Sequence, residues 1–225
     1  MAEQLTFALP AKQALGREDY FVSSANALAV AAIEDWANWP LGKMALVGAQ
    51  GAGKTHLAMV WAKDVGAQVT QASALEPEQM AHGPLVVEDI DHIAGDRAAQ
   101  TALFHLHNLM AERGHPLLLT SAVPPARASF SLPDLQSRMS GTAVSGIEAM
   151  DDALMMALVM KMFADRQIAL KPDVLAYALP RLPRNYAAVR QFVERTDTRA
   201  LSEGRPLGKG LIREILGELG DITPE

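Results

Sequence analysis

Short apolar runs alternate with amphipathic stretches through the first two thirds of the chain, and the pattern then turns wholly helical. Met44–Val47, Leu85–Val87 and Leu117–Leu119 are too short for buried helices and read as buried strands, while Ala67–Ala72 alternates polar and apolar like a half-exposed one. Between these four strands the period lengthens. Ser23 and Ser24 can cap a helix from Ala25 to about Trp39, and Thr55–Gly66 forms a second. Glu76–His82 is a short helical or loop piece. Ala98–Arg113 carries Leu103, Phe104, Leu106, Leu109 and Met110 on one face and is closed by Gly114. Strands alternating with helices predict an α/β fold with a mostly parallel sheet covered on both faces, and ligands at the carboxyl ends of its strands.

Ser140–Gly146 reads as a linker. Beyond it the pattern predicts a small all-helical domain. Asp151 or Asp152 caps a helix to about Arg166, Pro172–Asp173 start a second through Leu179, a third runs from about Arg184 to Ser202, and a fourth covers Leu211–Leu219. Methionines 150, 155, 156, 160 and 162 fall on the first of these and read as core filler.

Chemistry enters at Gly48-Ala-Gln50-Gly51-Ala52-Gly53-Lys54-Thr55, which fits G-x-x-x-x-G-K-[ST] at every fixed position and lies between a strand and a helix. Glycines let consecutive backbone N–H groups turn inward around phosphate oxygens, and the helix N-terminus adds its positive end. Lys54 then reaches the β- and γ-phosphates and the Thr55 hydroxyl sits on Mg²⁺, so the expected ligand is ADP or ATP. A plain glycine-rich turn is the bland alternative. Glu88-Asp89, after an apolar strand, suits the second half of such a site. Glu88 takes the metal shell beside Thr55, and Asp89 orients or deprotonates the attacking water. Two acids at a solvent-facing strand end is the competing reading.

With 225 residues the chain can hold a nucleotide-binding core and an appended domain. A net charge of -6 and a pI near 5.5 argue against a broad nucleic-acid surface, so strong direct binding of double-stranded DNA is not expected. The absence of cysteine excludes disulfides and thiolate chemistry. Neither a signal peptide nor a bilayer-spanning run is present, so the expected location is the cytoplasm, with no membrane partner. His105 and His107, two apart on a helix, face different ways and do not predict a metal site. Arg181, Arg184, Arg190, Arg195 and Arg199 read as a solvated basic face or as a source of a nucleotide-facing arginine. Near the start, Gln4-Leu5-Thr6-Phe7-Ala8-Leu9 is either a terminal strand or tail, or an extended peptide that inserts apolar side chains into a partner's pocket.

Taken in order, these segments resemble the AAA+ module of the DnaA family, and more closely its short Hda-type regulators. The resemblance runs along nearly the whole chain: Tyr20-Phe21-Val22-Ser-Ser-Ala-Asn26, GAGKTHL with His56-Leu57, VVEDIDHIAG, FHLHNL, LLLTSAVPP and Leu132-Pro-Asp-Leu-Gln-Ser-Arg138. It implies a P-loop AAA+ core with a five-stranded sheet over residues 15–145, a helical lid over 146–225, and a clamp-binding peptide within 1–14. In that family the segment holding Phe21 and Val22 lies against the adenine, His56 follows the phosphate loop, Thr120 and Ser121 form sensor 1, and Arg138 is an arginine finger acting in trans. Gln4, Leu5, Phe7 and Leu9 would contact the β sliding clamp of DNA polymerase III. The initiator's insertion between the second and third core strands is missing, since only about a dozen residues separate them. The resemblance therefore implies a regulator that binds the clamp and promotes hydrolysis of DnaA-bound ATP; the alternative is a nucleotide-dependent adaptor without catalysis. Homo-oligomerisation is compatible with either. Three positions depart from the family pattern: Glu88 for the metal-shell Asp, Ala122 after Thr-Ser, and Ala187 where the sensor-2 arginine is expected, which leaves Arg184 or Arg190 as substitutes.

Overall fold

The computed structural model describes residues 20–220. Five strands, β1 (Lys43–Val47), β2 (Gln68–Gln71), β3 (Leu85–Glu88), β4 (Leu117–Ser121) and β5 (Ala143–Gly146), pair in the order β2-β3-β4-β1-β5, and every pairing is parallel. The side-chain period of two sorts the central strands onto two cores. Ala45, Leu85, Val87, Leu117 and Leu119 face one cluster, packed by α4 (Arg97–Arg113) and α5 (Pro133–Ser140). Met44, Leu46, Val86 and Leu118 face the other, packed by α1 (Ala27–Glu34) and α2 (Lys54–Val65). Burial on both faces is why these strands read as continuous apolar runs.

Two expectations fail on this core. Residues 140–146 are not an irregular linker: Ser140 closes α5, and Ala143–Gly146 is the edge strand β5, paired to Met44–Val47. Only one face of β5 is covered and Val144 is 49% exposed, so no apolar run announced it. The first helix also stops at Glu34 rather than near Trp39. Two single 3₁₀ turns follow (36–38 and 40–42), with Trp39 extended between them, its ring stacked on Trp61 at 5.1 Å and its Nε1 donating to the Ala32 carbonyl at 2.7 Å. Anchoring that large ring ends the helix. The short α3 (Pro77–Met80) lies between β2 and β3.

The last third of the described chain is helical: α6 (Asp152–Ala164), α7 (Pro172–Ala178), α8 (Tyr186–Glu203) and α9 (Lys209–Gly220) close around Phe163, Val189, Phe192, Val193, Ile212 and Ile215. Asp151 and Asn185 cap α6 and α8 by accepting from the amides of Leu154 and Ala188. Met155 is core, as expected, but Met156 and Met160 are exposed. Arg184, Arg190, Arg195 and Arg199 each pair with a carboxylate, which neutralises the supposed basic face. Arg181 lies over the Tyr177 ring at 4.0 Å. No helix among the described residues is long and apolar enough to cross a membrane.

Candidate functional site: a phosphate loop and its acidic neighbours

Residues 48–53 turn between β1 and α2 in a conformation that ordinary side chains disfavour. Gly51 and Gly53 have φ of +77° and +103°, the second at the position that opens α2. The turn thus presents backbone amides at a helix N-terminus, the arrangement that binds phosphate. Gln50 is exposed and Ala52 is buried against the core. Lys54 is buried, and its amine donates to the Gly48 and Ala49 carbonyls at 2.8 and 3.1 Å. One of its three protons stays available, and both loop carbonyls can be exchanged for phosphate oxygens. Thr55, in the first turn of α2, is exposed toward solvent.

Glu88 ends β3 and is only 5% exposed. Its Oε2 accepts from Gln71 at 3.3 Å, while its Oε1 is buried and has no hydrogen-bond partner among the described residues. A buried carboxylate oxygen left in this way is costly unless a cation or water completes it, so the residue fits a Mg²⁺ shell. Asp89 follows in left-handed backbone, φ 56°, and its amide donates to Thr120 Oγ1 at 3.0 Å. Ser121 Oγ donates to Asp91 Oδ1 at 3.0 Å, and the Ala122 amide donates to the same oxygen at 3.1 Å. The Thr120 and Ser121 hydroxyls are therefore buried struts that fix the acidic turn after β3. Asp91 thus brings a carboxylate to Ser121 and Ala122 at the end of the neighbouring strand β4. Its place in the same D-I-D run as Asp89 was the only signal for it in the sequence.

Helix α8 meets the loop through backbone. The Tyr186 amide donates to the Gly51 carbonyl at 3.2 Å, and a Cβ at Gly51 would lie 2.6 Å from Asn185 Cβ. The lid residues on the phosphate loop are thus Asn185 and Tyr186. Arg184 is held by Asp152 at 2.6 Å and Arg190 by Glu194 at 2.8 Å. The His56 ring lies between Tyr20, at 5.2 Å, and Tyr186, at 6.1 Å. Burial, partly offset by Asn26, pushes the Tyr20 hydroxyl up to about 12, so it stays protonated. Phe21 and Val22 beside it are half exposed, at 48% and 55%. Tyr20, Val22, Ile33, Leu57 and Trp61 line a cavity of about 380 Å³ along α2.

Arg138 is elsewhere. It lies exposed on α5, whose carbonyl end is tied to Lys43 at the start of β1, opposite the carboxyl ends that carry the loop. Gln4, Leu5, Phe7 and Leu9 lie outside the described residues.

Domain III of the Thermotoga maritima replication initiation protein DnaA matches this chain with a TM-score of 0.82 at 19% identity, over 96% of this chain and 100% of that one. The fold is that of a DnaA-like AAA+ domain. AMPPCP-bound DnaA from Aquifex aeolicus gives a TM-score of 0.72 at 18% identity, over 91% of this chain and 69% of that one. A replication initiator DnaA bound to AMPPCP and single-stranded DNA gives 0.68 at 20% identity, over 88% and 66%. No protein-family model matches the chain.

Proposed function

We propose that this protein is a nucleotide-binding AAA+ regulator of replication initiation, holding ADP or ATP with Mg²⁺ on residues 48–55. The observation that carries the reading is the buried, unpartnered Glu88 oxygen at the carboxyl end of the same parallel sheet as a phosphate loop whose Gly51 and Gly53 already stand in left-handed backbone. Gln50, Gly51 and Gly53 supply amides to the cradle, Gly48 and Ala52, whose amides donate to the Ser121 and Ala49 carbonyls, shape its turn, and Lys54 neutralises the β- and γ-phosphates. Thr55 and Glu88 hold Mg²⁺, which neutralises phosphate charge. Phe21, Val22 and His56 flank the base and sugar. Asp89, fixed through Thr120, orients water, and Ser121 secures Asp91 beside it. DnaA structures of this fold were solved with AMPPCP.

The protein's own turnover is slow on this reading, because Glu88, Ala122 and Ala187 stand where the DnaA pattern has the metal-shell Asp, an Asp after Thr-Ser and the sensor-2 arginine. Its activity is directed outward. Docked on the DNA-loaded β clamp through Gln4, Leu5, Phe7 and Leu9, it presents Arg138 to ATP held by DnaA. Such a finger raises hydrolysis by roughly 10³–10⁵-fold in GTPases. Hydrolysis of ATP preloaded on DnaA, followed with and without clamp on DNA, tests this. Clamp-dependent acceleration that Arg138→Ala abolishes supports the reading; acceleration unchanged by Arg138→Ala contradicts it. Intact clamp binding with no acceleration would instead establish the adaptor.

A further inference from the structure

A second cavity, about 230 Å³, lies at the opposite end of the sheet from the phosphate loop, among Leu41, Lys43, His107, Asn108, His115 and Arg138. Lys43 is 4% exposed, yet neither it nor Arg138 forms an ion pair with a carboxylate among the described residues. Its amine lies 2.7 Å from His107 Nε2 and donates to the Arg138 carbonyl at 3.1 Å. Burial first, then the adjacent Lys43 charge, push His107 down to about 4. The ring is neutral at physiological pH, so Nε2 accepts from the ammonium and Nδ1 is left to donate toward Asn108 Oδ1 at 3.4 Å. Two of the three ammonium protons are thereby used. Burial and the Arg138 charge also lower the Lys43 pKa.

Lys43 is a buried cation with no acid beside it among the described residues, and the Arg138 charge at the cavity adds repulsion to the cost of burying it. The lid treats the same charge oppositely, giving Arg184, Arg190 and Arg199 a carboxylate each. An oxyanion in the cavity would accept the third Lys43 proton and the Arg138 guanidinium together, and would offset that repulsion. Leu41 is 79% exposed and sits in left-handed backbone, φ 56°, a conformation that a leucine adopts only under strain.

We propose that this cavity is a second anion site, which receives a phosphate group brought by another molecule and uses Lys43 as a cation alongside Arg138. The identity of the phosphate rests on the reading of Arg138 given above: it is the terminal phosphate of the nucleotide held by a partner AAA+ subunit. The site itself does not depend on that reading, and inorganic phosphate should enter it.

The test is titration of inorganic phosphate into the full chain, read on the His107 ring signals by NMR, in the wild type, Lys43→Met, Arg138→Gln and Lys54→Ala. A saturable shift is expected in the wild type and in Lys54→Ala, weakened at least about tenfold in Lys43→Met and Arg138→Gln, the loss of one charge-assisted hydrogen bond. Arg138 is exposed, so its variant folds even if Lys43→Met does not. An unmoved His107 in the wild type, or a shift that disappears only in Lys54→Ala, overturns the site. The partner arm measures hydrolysis of DnaA-bound ATP. A loss in both Lys43→Met and Arg138→Gln supports the partner's nucleotide as the source. Loss in Arg138→Gln alone overturns Lys43 as a second cation, and wild-type rates in both variants sink the reading of Arg138 itself.

Discussion

The two ends of the parallel sheet are built on opposite charge logic. At the carboxyl ends lie the phosphate loop with Lys54 and the acids Glu88, Asp89 and Asp91, held by Gln71, Thr120 and Ser121, with one buried Glu88 oxygen left unpartnered. At the amino end, Lys43 and Arg138 stand together without an acid. The first arrangement is complete once a nucleotide and its metal arrive. On the proposal above, the second is complete only when an anion is supplied from outside. On that reading the sheet turns one end to its own ligand and the other to a neighbour's. One buried side chain ties the acidic turn to the helix that carries Arg138: Gln100 donates to the Ile93 and Ala94 carbonyls after β3, and accepts from the Ser131 and Leu132 amides that lead into α5.

Severing that strut should give the largest effect. Gln100→Leu leaves several buried backbone groups without partners, at a cost of roughly 3–4 kcal/mol in chemical unfolding. A loss under about 1 kcal/mol would show that these buried bonds do not hold the turn and α5 together. Gly51→Val acts on the loop end alone, through φ +77° and the contact with Asn185. About 2–3 kcal/mol of stability and a sharp drop in nucleotide affinity are expected, both measurable by thermal shift with and without ADP. Wild-type affinity would mean that α8 does not rest on the loop.

His107 sharpens the amino end. Its folded pKa, about 4, lies below the unfolded value, so on acidification the unfolded state takes up a proton that the folded state refuses. This costs nothing above about pH 6.5 and grows as pH falls toward 4. Between pH 6.5 and 4.5 the wild type should lose roughly 2 kcal/mol more than His107→Gln does. Parallel profiles for the two proteins would remove the buried neutral ring from the account.

What the chain discloses on its face follows the range of the interactions involved. The phosphate loop is legible because its chemistry is local: glycines, lysine and threonine act within eight residues. The helix starts at Asp151 and Asn185 are equally local, since a cap needs only the amide three positions on. Strand β5 is not legible, because its small, half-exposed residues are organised by pairing to β1, about a hundred positions earlier. Nor is the Lys43–His107 contact, which spans 64 residues, even though the helix period had already turned His107 away from His105. Exposed Met156 and Met160 mislead for a related reason. Hydrophobicity reports what a residue could bury, and the four-helix packing decides which of them it does.

The most direct test of the two-ended account is equilibrium binding of ADP to the wild type, Lys54→Ala and Arg138→Ala. Lys54→Ala should weaken binding about 100-fold, the loss of charge-assisted contacts totalling roughly 3 kcal/mol, while Arg138→Ala binds as the wild type does. Equal weakening by Arg138→Ala, or unchanged affinity in Lys54→Ala, would contradict a division in which one end of the sheet holds the protein's own nucleotide and the other is kept for a partner's.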